Sequence, residues 1–189
     1  GTTDSDVIVT GRGDDRIFAL RGDDYICSGR GNDRIFAGGG NDQIAGRRGH
    51  DSIDTGDARL SWMGDRVLAG RGNDRVTGGN GDDHLQGHYG RDRLYGATGR
   101  DSLIGSRGND ILRGGRGVDA ASYGDVPLNS AAQFSDYDAG SVVVDLLRGK
   151  AIARDGTDRL YGIENAFGTD GDDTIRGDAR NNRLAGSSG

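Results

Sequence analysis

Aspartate recurs at a spacing of nine residues along most of this chain. Around each of these aspartates one frame repeats, with Gly two residues before it, usually Gly four before it, and an aliphatic residue two after it. The segments 28–36 and 78–86 are the clearest copies. Self-similarity at a fixed period is typical of a solenoid, in which each unit stacks on its neighbours. The aspartates in this register are Asp6, Asp15, Asp24, Asp33, Asp42, Asp51, Asp65, Asp74, Asp83, Asp92, Asp101, Asp110, Asp119 and Asp173.

The composition does not suit an ordinary hydrophobic core. The 189 residues include 37 Gly, only 32% hydrophobic residues and 29% charged residues, with a net charge of −6. Gly loses the most conformational entropy when a chain folds, and so few apolar groups can hardly offset that loss. Composition alone would indicate disorder, but disordered segments do not keep an aliphatic residue in register. Bound metal is therefore the leading candidate for the missing stability.

Each unit divides into a turn and a strand. The Gly-x-Gly-x-Asp half supplies positive φ and allows close backbone approach. The x-aliphatic-x triplet that follows is predicted to be a very short strand whose central side chain alone points inward. Two units make one coil of about 18 residues, so equivalent residues stack about 4.8 Å apart in a parallel sheet. The predicted inward residues are Ile8, Ile17, Ile26, Ile35, Ile44, Ile53, Val67, Val76, Leu85, Leu94, Leu103 and Leu112.

The repeat pattern predicts four segments. Residues 1–54 form a first block of β-roll repeats, and 55–68 an insertion with an irregular unit, where Met63 replaces the usual Gly and weakens the metal position at Asp65. Residues 69–122 form a second block of repeats. Residues 123–189 contain an irregular loop, a β-hairpin extension and capping repeats, the last with Asn182 in place of Asp.

The capping segment is predicted to contain longer strands than the repeats. The run 141–146, a turn at 148–150 and the run 151–153 indicate a hairpin, and 160–167 indicates another strand. A terminal cap must cover the open end of a stack. The side chains expected to close the core are Leu146, Ile152, Leu160, Ile163 and Phe167.

The spacing of carboxylates and glycines suits calcium. Ca²⁺ takes six to eight oxygen ligands, including carboxylates and backbone carbonyls. A turn with alternating glycines can aim its carbonyls at one point, and stacking such turns places an ion between neighbouring coils. Zn²⁺ is disfavoured because the three histidines fall at different repeat positions and the single cysteine, Cys27, cannot build a site. Mg²⁺ is disfavoured because it keeps its waters and requires tight octahedral geometry.

The frame Gly-Gly-x-Gly-x-Asp-x-aliphatic-x resembles the repeats-in-toxin (haemolysin-type) calcium-binding nonapeptide repeat. This resemblance implies an all-β fold, a right-handed parallel β-roll with two nine-residue units per coil, folding driven by several Ca²⁺, and a secreted host protein. Residues 141–165 resemble the segment that follows such repeats in serralysin-type proteases and alginate-epimerase modules. Carried onto this sequence, the family pattern implies calcium ligands at the aspartates above and at the carbonyls of Gly11, Gly13, Gly29, Gly31, Gly38, Gly40, Gly79 and Gly81.

We expect the module not to be an enzyme. His-Glu-x-x-His, Gly-x-Ser-x-Gly, phosphate-loop and dinucleotide fingerprints are absent from the sequence. No segment approaches the length of a transmembrane helix, and nucleic acid is not an expected partner. The predicted function is that of an extracellular calcium-binding repeat module, flanked by other domains of a longer secreted protein.

Arginine leaves a second function open. All but one of the 24 basic residues are Arg, and several fall 18 residues apart, so they would stack as outward ladders. If about eight Ca²⁺ bind, the net charge rises from −6 to about +10, and planar guanidinium rows suit carboxylated or phosphorylated polymers. The alternatives are a calcium-dependent binding module for an anionic polysaccharide or cell-surface polymer, and a merely solvated face. The residues in these ladders are Arg12, Arg30, Arg48, Arg16, Arg34, Arg75 and Arg93, with Phe18 and Phe36 beside Arg16 and Arg34.

Overall fold

The chain folds as a parallel β-roll. A computed structural model describes residues 1–56, 63–124 and 140–187, and these residues contain strands and turns but no helix, hence no helix long and apolar enough to cross a membrane. From the first strand to the fourteenth, successive strands alternate between a nine-stranded sheet and a ten-stranded sheet, so each repeat coil contributes one strand to each sheet. The predicted all-β roll with two repeat units per coil is therefore confirmed.

The two sheets are built as follows within the described residues. The nine-stranded sheet contains, in spatial order, β1 (Val7–Arg12), β3 (Tyr25–Arg30), β5 (Gln43–Arg48), β7 (Met63–Arg71), β9 (Asp82–Gly90), β11 (Ser102–Gly108), β13 (Ala120–Ser122), β17 (Asn165–Phe167) and β19 (Leu184–Ala185). The ten-stranded sheet contains β18 (Thr174–Arg176), β14 (Val143–Asp145), β15 (Lys150–Ala153), β16 (Gly156–Tyr161), β12 (Ile111–Gly117), β10 (Arg93–Gly99), β8 (Arg75–Asn80), β6 (Ser52–Gly56), β4 (Arg34–Gly39) and β2 (Arg16–Arg21).

The two blocks of repeats pair directly across the insertion. Within a block, partners lie one coil apart, as Ile26 pairs with Ile44. Across the insertion β5 pairs with β7 and β6 with β8, and the partners Ile44 and Val67 keep both aliphatic positions facing inward. A register shift between Met63 and Arg66 accommodates the irregular unit. The rest of that unit, residues 57–62, lies outside the described residues.

Most strands of the repeat blocks have two inward positions, whereas the sequence pattern predicted one. In β2 both Ile17 and Ala19 point into the core, because the strand has six residues instead of three. The predicted aliphatic residues are all buried except Ile8, which is only partly buried on the outermost coil. The second inward residue must be small, because the chain turns close by: a Cβ on Gly78 would lie 2.2 Å from Asp83 Oδ2.

The C-terminal hairpin is present but short. β14 and β15 pair antiparallel, with Val143 opposite Ile152, yet they contain only three and four residues. The prediction of longer strands is wrong because the chain turns directly after Asp145, whose carboxylate accepts hydrogen bonds from the Arg148 backbone and guanidinium. The preceding loop around Pro127, residues 125–139, lies outside the described residues.

The single strand predicted over 160–167 is two strands in different sheets. β16 pairs with β12 and β17 pairs with β13, and a turn with Gly162 at φ 61° carries the chain from one sheet to the other. Leu146, Leu160 and Ile163 are buried in the core as expected, and Phe167 is half-buried. Ile152 is 43% exposed, because it lies on the outer face of the sheet opposite exposed Val143, so its predicted place in the core is wrong.

Candidate metal sites in the turns

The repeat aspartates form two continuous rows, one at each edge of the roll. After the first member of each row, each aspartate accepts, through Oδ1, a hydrogen bond from the backbone N–H of the aspartate one coil earlier; Asp24 N, for example, lies 2.9 Å from Asp42 Oδ1. The insertion does not interrupt this pattern, since Asp42 N lies 2.7 Å from Asp65 Oδ1. The first carboxylate row contains Asp6, Asp24, Asp42, Asp65, Asp83, Asp101 and Asp119, and the second carboxylate row contains Asp15, Asp33, Asp51, Asp74, Asp92 and Asp110.

Both rows continue through residues that the sequence analysis missed. Asp110 N donates to Asp158 Oδ1 at 2.9 Å, and Asp119 N donates to Glu164 Oε2 at 3.0 Å. These partners follow 48 and 45 residues later, so the nine-residue period does not reach them. The signal was nevertheless present: Gly156 precedes Asp158 by two residues and Leu160 follows it by two, which is the repeat frame.

The second carboxylate oxygen of most row members has no hydrogen-bond partner. Within the described residues, Oδ2 is buried and unpartnered at Asp15, Asp24, Asp33, Asp42, Asp51, Asp74, Asp83, Asp92, Asp101, Asp110 and Asp119. Burying a carboxylate oxygen without a donor is costly. A cation beside each of these oxygens would remove that cost, so the rows fit a set of metal ions.

Burial raises the pKa of the row carboxyl groups. Desolvation is the largest cause, and neighbouring carboxylates of the same row add to it. The pKa of Asp83 and of Asp110 is raised to about 8, while that of Asp42, Asp51, Asp74 and Asp101 is raised to about 7. The carboxylates therefore resist ionisation in the metal-free roll, and a divalent cation would favour their charged form.

Acidification should promote folding of the metal-free chain. Because the folded-state pKa values lie above the ordinary value of 3.8, the folded form binds protons more tightly than the unfolded form. This contribution to stability is fully present below about pH 4 and is lost as the pH rises through about 7 to 8. Circular dichroism in chelator should show β signal growing as the pH is lowered from 8 towards 4; a spectrum that does not change would contradict this expectation.

Glycine provides the close contacts between turns. The eight glycines predicted as carbonyl ligands all have φ between 97° and 159°. A Cβ on Gly29 would lie 2.2 Å from Gly11 O, and one on Gly31 would lie 2.0 Å from Gly13 O. The carbonyl oxygens of one coil thus lie against the glycines of the next, where any larger residue would fill the space.

Backbone carbonyls would have to supply a large part of the ligands of any ion bound in the turns. Among the described residues, no group of three His, Cys, Asp or Glu side chains could hold a metal ion, because each coil adds only one carboxylate to each row. Carboxylate and carbonyl oxygens are the hard ligands that Ca²⁺ prefers, and its flexible coordination tolerates such a mixed set. The donor chemistry of the turns therefore fits Ca²⁺.

Two predicted ligands already have a protein donor for the oxygen that is unpartnered elsewhere. Asp6 Oδ2 accepts from Thr2 N at 2.6 Å, and Asp173 Oδ2 accepts from Thr169 N at 2.7 Å. Asp173 lies outside both rows, and its Oδ1 accepts from Val142 N at 2.9 Å. These two carboxylates therefore need a cation less than the row members with an unpartnered Oδ2 do.

In the last unit an amide lies at the repeat position of the aspartate. Asn182 Oδ1 accepts from Asp178 N at 2.8 Å, and Asn182 Nδ2 donates to Glu164 O at 2.7 Å. An N–H group here contacts a carbonyl oxygen of the preceding coil. This unit satisfies its turn with protein atoms alone.

The residue before each aspartate forms a second ladder that runs in the opposite direction. The side chain of Asp14 accepts from Asn32 N at 2.7 Å, and Asn32 Oδ1 accepts from His50 N at 2.7 Å. Arg91 and Arg100, which have long side chains at this position, contribute only their backbone N–H groups to this ladder. Their long side chains therefore need not strain the turn.

The predicted arginine ladders occupy two different surfaces. An edge arginine row runs along one line of turns and contains Arg12, Arg30, Arg48, Arg71 and Arg107, with Tyr89 between the last two. A basic face row runs along the outer face of the ten-stranded sheet and contains Arg16, Arg34, Arg75, Arg93, Arg159 and Lys150. Phe18 and Phe36 stack beside this face row with ring centroids 5.0 Å apart.

The fold and the turns together define a β-roll suited to binding a row of cations along each edge. A family model, the RTX calcium-binding nonapeptide repeat, matches residues 1–35, 28–58, 61–88, 86–120 and 167–189, and the chain belongs to this family. The unmatched region between residues 120 and 167 includes the hairpin and the two additional row members. No curated protein matches the chain.

Proposed function

We propose that this chain is a calcium-binding module that folds on binding several Ca²⁺ outside the cell, as part of a longer secreted protein. The observation that carries the proposal is the set of buried carboxylate oxygens without hydrogen-bond partners, repeated coil after coil in both rows. Membership of a calcium-binding repeat family supports Ca²⁺ as the ion.

Within this proposal each ion is held between neighbouring coils. Row carboxylates supply the negative charge, and carbonyls of the turn glycines supply further oxygens; the predicted carbonyl donors are Gly11, Gly13, Gly29, Gly31, Gly38, Gly40, Gly79 and Gly81. The ions neutralise carboxylates that otherwise repel one another along the row. We infer that the module is not itself an enzyme, because these carboxylates serve the ions and not a substrate.

The affinity sets where the module folds. Extracellular calcium modules bind with dissociation constants of about 10⁻⁴ to 10⁻³ M. A module in this range stays unfolded at cytosolic calcium and folds after export. Folding outside the cell would also keep the chain extended during secretion.

The test compares two adjacent carboxylates in one turn. In the parent, Asp65 N lies 2.7 Å from Asp83 Oδ1, and Asp83→Asn keeps an oxygen that can accept this hydrogen bond. The substitution removes the negative charge of the carboxylate, whose Oδ2 has no hydrogen-bond partner. The matched control is Asp82→Asn, since Asp82 Oδ1 accepts from Arg100 N at 2.8 Å and Asn occupies this repeat position at Asn32 and Asn73. By calorimetric calcium titration, Asp83→Asn should lose at least one bound ion or bind about tenfold more weakly, while Asp82→Asn should resemble the parent.

Two results would contradict the proposal. One is a parent chain that shows no calcium binding at millimolar Ca²⁺. The other is an equal change in both variants, which would mean that overall charge, and not the carboxylate row, determines calcium binding.

A further inference from the structure

The outer face of the ten-stranded sheet carries a row of cations that has no counterpart on the other sheet. In successive coils the first outward residue is Arg16, Arg34, Ser52, Arg75, Arg93, Ile111 and Arg159, with Lys150 beside Arg159. At the same position the nine-stranded sheet has Val7, Tyr25, Gln43, Arg66, His84 and Ser102. Only one of the two flat faces is therefore strongly basic.

The cations of the basic face row are exposed and form no ion pairs within the described residues, although Arg16 Cζ lies 5.7 Å from the Phe18 ring. All six are exposed, and the salt bridges of the described residues involve only Arg107, Arg148, Arg176 and Arg180. Like charges on directly paired strands destabilise a sheet. Arg16 opposite Arg34 and Arg75 opposite Arg93 thus reduce the stability of the roll, which favours a ligand-binding role over a structural one.

A second outward row runs parallel to the cations and contains four aromatic rings, with the exposed Asp54 and the half-buried Thr77 between Phe36 and Tyr95. Phe18, Phe36, Tyr95 and Tyr161 are each about 40–50% exposed. Three of these rings have a face against a neighbour: Phe18 and Phe36 lie nearly parallel at 6°, and Arg113 Cζ lies 5.0 Å from the Tyr161 ring. Bases of single-stranded nucleic acid need free ring faces for stacking, so these three rings are less suited to them. Exposed ring edges and tyrosine hydroxyls suit a polymer of hydroxylated sugars.

The basic face row ends in a cleft beside the hairpin. This open cleft has a volume of about 1040 Å³, and Lys150, Arg159 and Tyr161 line it together with Arg91 and Leu147. Row members thus continue from a flat surface into a concave one. From Arg16 to Lys150 the row crosses eight neighbouring strands, or about 34 Å at about 4.8 Å per strand.

We propose that this face binds a linear acidic polysaccharide, laid along the direction in which the coils stack. The guanidinium fork matches a carboxylate or sulfate group bidentately, and a polymer with regularly spaced acidic groups can contact several coils at once. The inference rests on the folded roll, whose dependence on calcium is the function proposed above.

The edge arginine row is less suited to this ligand. Arg71 and Arg107 each lie with Cζ 5.2 Å from the Tyr89 ring, and Arg107 also pairs with Asp155 at 3.6 Å. Asp14 adds a further exposed carboxylate two residues from Arg12. Several guanidinium groups of this row already have partners or acidic neighbours.

The experiment removes two charges from each surface in turn. Arg75→Ser with Arg93→Ser uses a residue that the same row already contains at Ser52, and the matched control, Arg12→Asn with Arg30→Asn, uses the residue found at Asn80 in an equivalent turn position. The probe is a fluorescent oligogalacturonate of about ten sugars, followed by anisotropy in calcium sufficient for folding. The face variant should bind about tenfold more weakly and the edge variant within about twofold of the parent, with parent binding weakening as salt is raised.

Four outcomes would overturn the proposal, of which three concern relative binding. They are equal losses in both variants, a face variant that binds like the parent, and a parent that binds single-stranded DNA or anionic vesicles more tightly than the oligogalacturonate. Circular dichroism of the same samples separates loss of the site from loss of folding. If the first face variant unfolds, Arg16→Ser with Arg34→Ser tests the same row, and a folded parent without affinity for the probe also overturns the inference.

Discussion

Chelation of calcium is expected to unfold the roll. Without cations, both carboxylate rows hold buried charges one coil apart, and the low apolar content of the chain offers little to offset their repulsion. The circular dichroism spectrum should be coil-like in chelator and gain β signal as Ca²⁺ is added, with a midpoint at about 10⁻⁴ to 10⁻³ M. The transition should be cooperative, since each row carboxylate also binds the backbone of the preceding coil.

Magnesium at the same concentration is the control for this experiment. Mg²⁺ screens charge equally well but requires octahedral geometry and releases its waters reluctantly, so it should not restore the spectrum. A chelated sample that keeps its full β signal and melting temperature at pH 7 would refute calcium-dependent folding.

Gly31→Ala is expected to destabilise the roll strongly. At φ 138° an L-residue is strained, and the new Cβ would lie 2.0 Å from the Gly13 carbonyl oxygen. Because the new Cβ is fixed to the backbone and the oxygen it meets is itself a backbone atom, neither atom can rotate away. In saturating calcium the unfolding free energy should fall by about 4 kcal/mol or more, measured by urea denaturation.

Gly13→Ala separates the two causes. Gly13 has the same place in the repeat and a positive φ of 121°, but no atom lies within 4 Å of its Cβ position, because it belongs to the outermost coil. Its substitution should therefore cost only the strain of positive φ, about 1–2 kcal/mol. Equal losses in the two variants would show that contact between neighbouring turns contributes nothing.

The repeat frame was sufficient to predict the coil and its register. One aliphatic side chain per nine residues must face the core, so Ile26, Ile44 and Val67 could be aligned even across the insertion. The same frame predicted the two rows of aspartates, because residues one coil apart must stack.

The nine-residue period could not predict features that depend on contacts between coils. The hydrogen bond from each aspartate N–H to the next Oδ1 requires coordinates, as does the opposing ladder through Asn32 and His50. The period did not predict that Asp158 and Glu164 belong to the rows, because 48 and 45 residues of chain separate them from Asp110 and Asp119. The short hairpin depends on a local carboxylate–arginine contact at Asp145 and Arg148, which periodicity does not report.

The contacts around Asn182 favour a roll that becomes ordered from its C-terminal coil. Asp173 has Thr169 as its donor, Asn182 contacts Glu164 through its own N–H, and Arg180 forms ion pairs with Glu164 and Asp178. The C-terminal coil can thus take shape from protein contacts before any ion arrives. The coil that precedes it can then pack against this ordered coil. Growth of the roll, one coil and its ions at a time, would therefore run from the C-terminal end towards the N-terminal end. If the C-terminal end leaves a narrow export path first, this coil can become ordered while the rest of the chain is still inside. If the N-terminal end leaves first, ordering from the C-terminal coil waits until the whole chain has emerged.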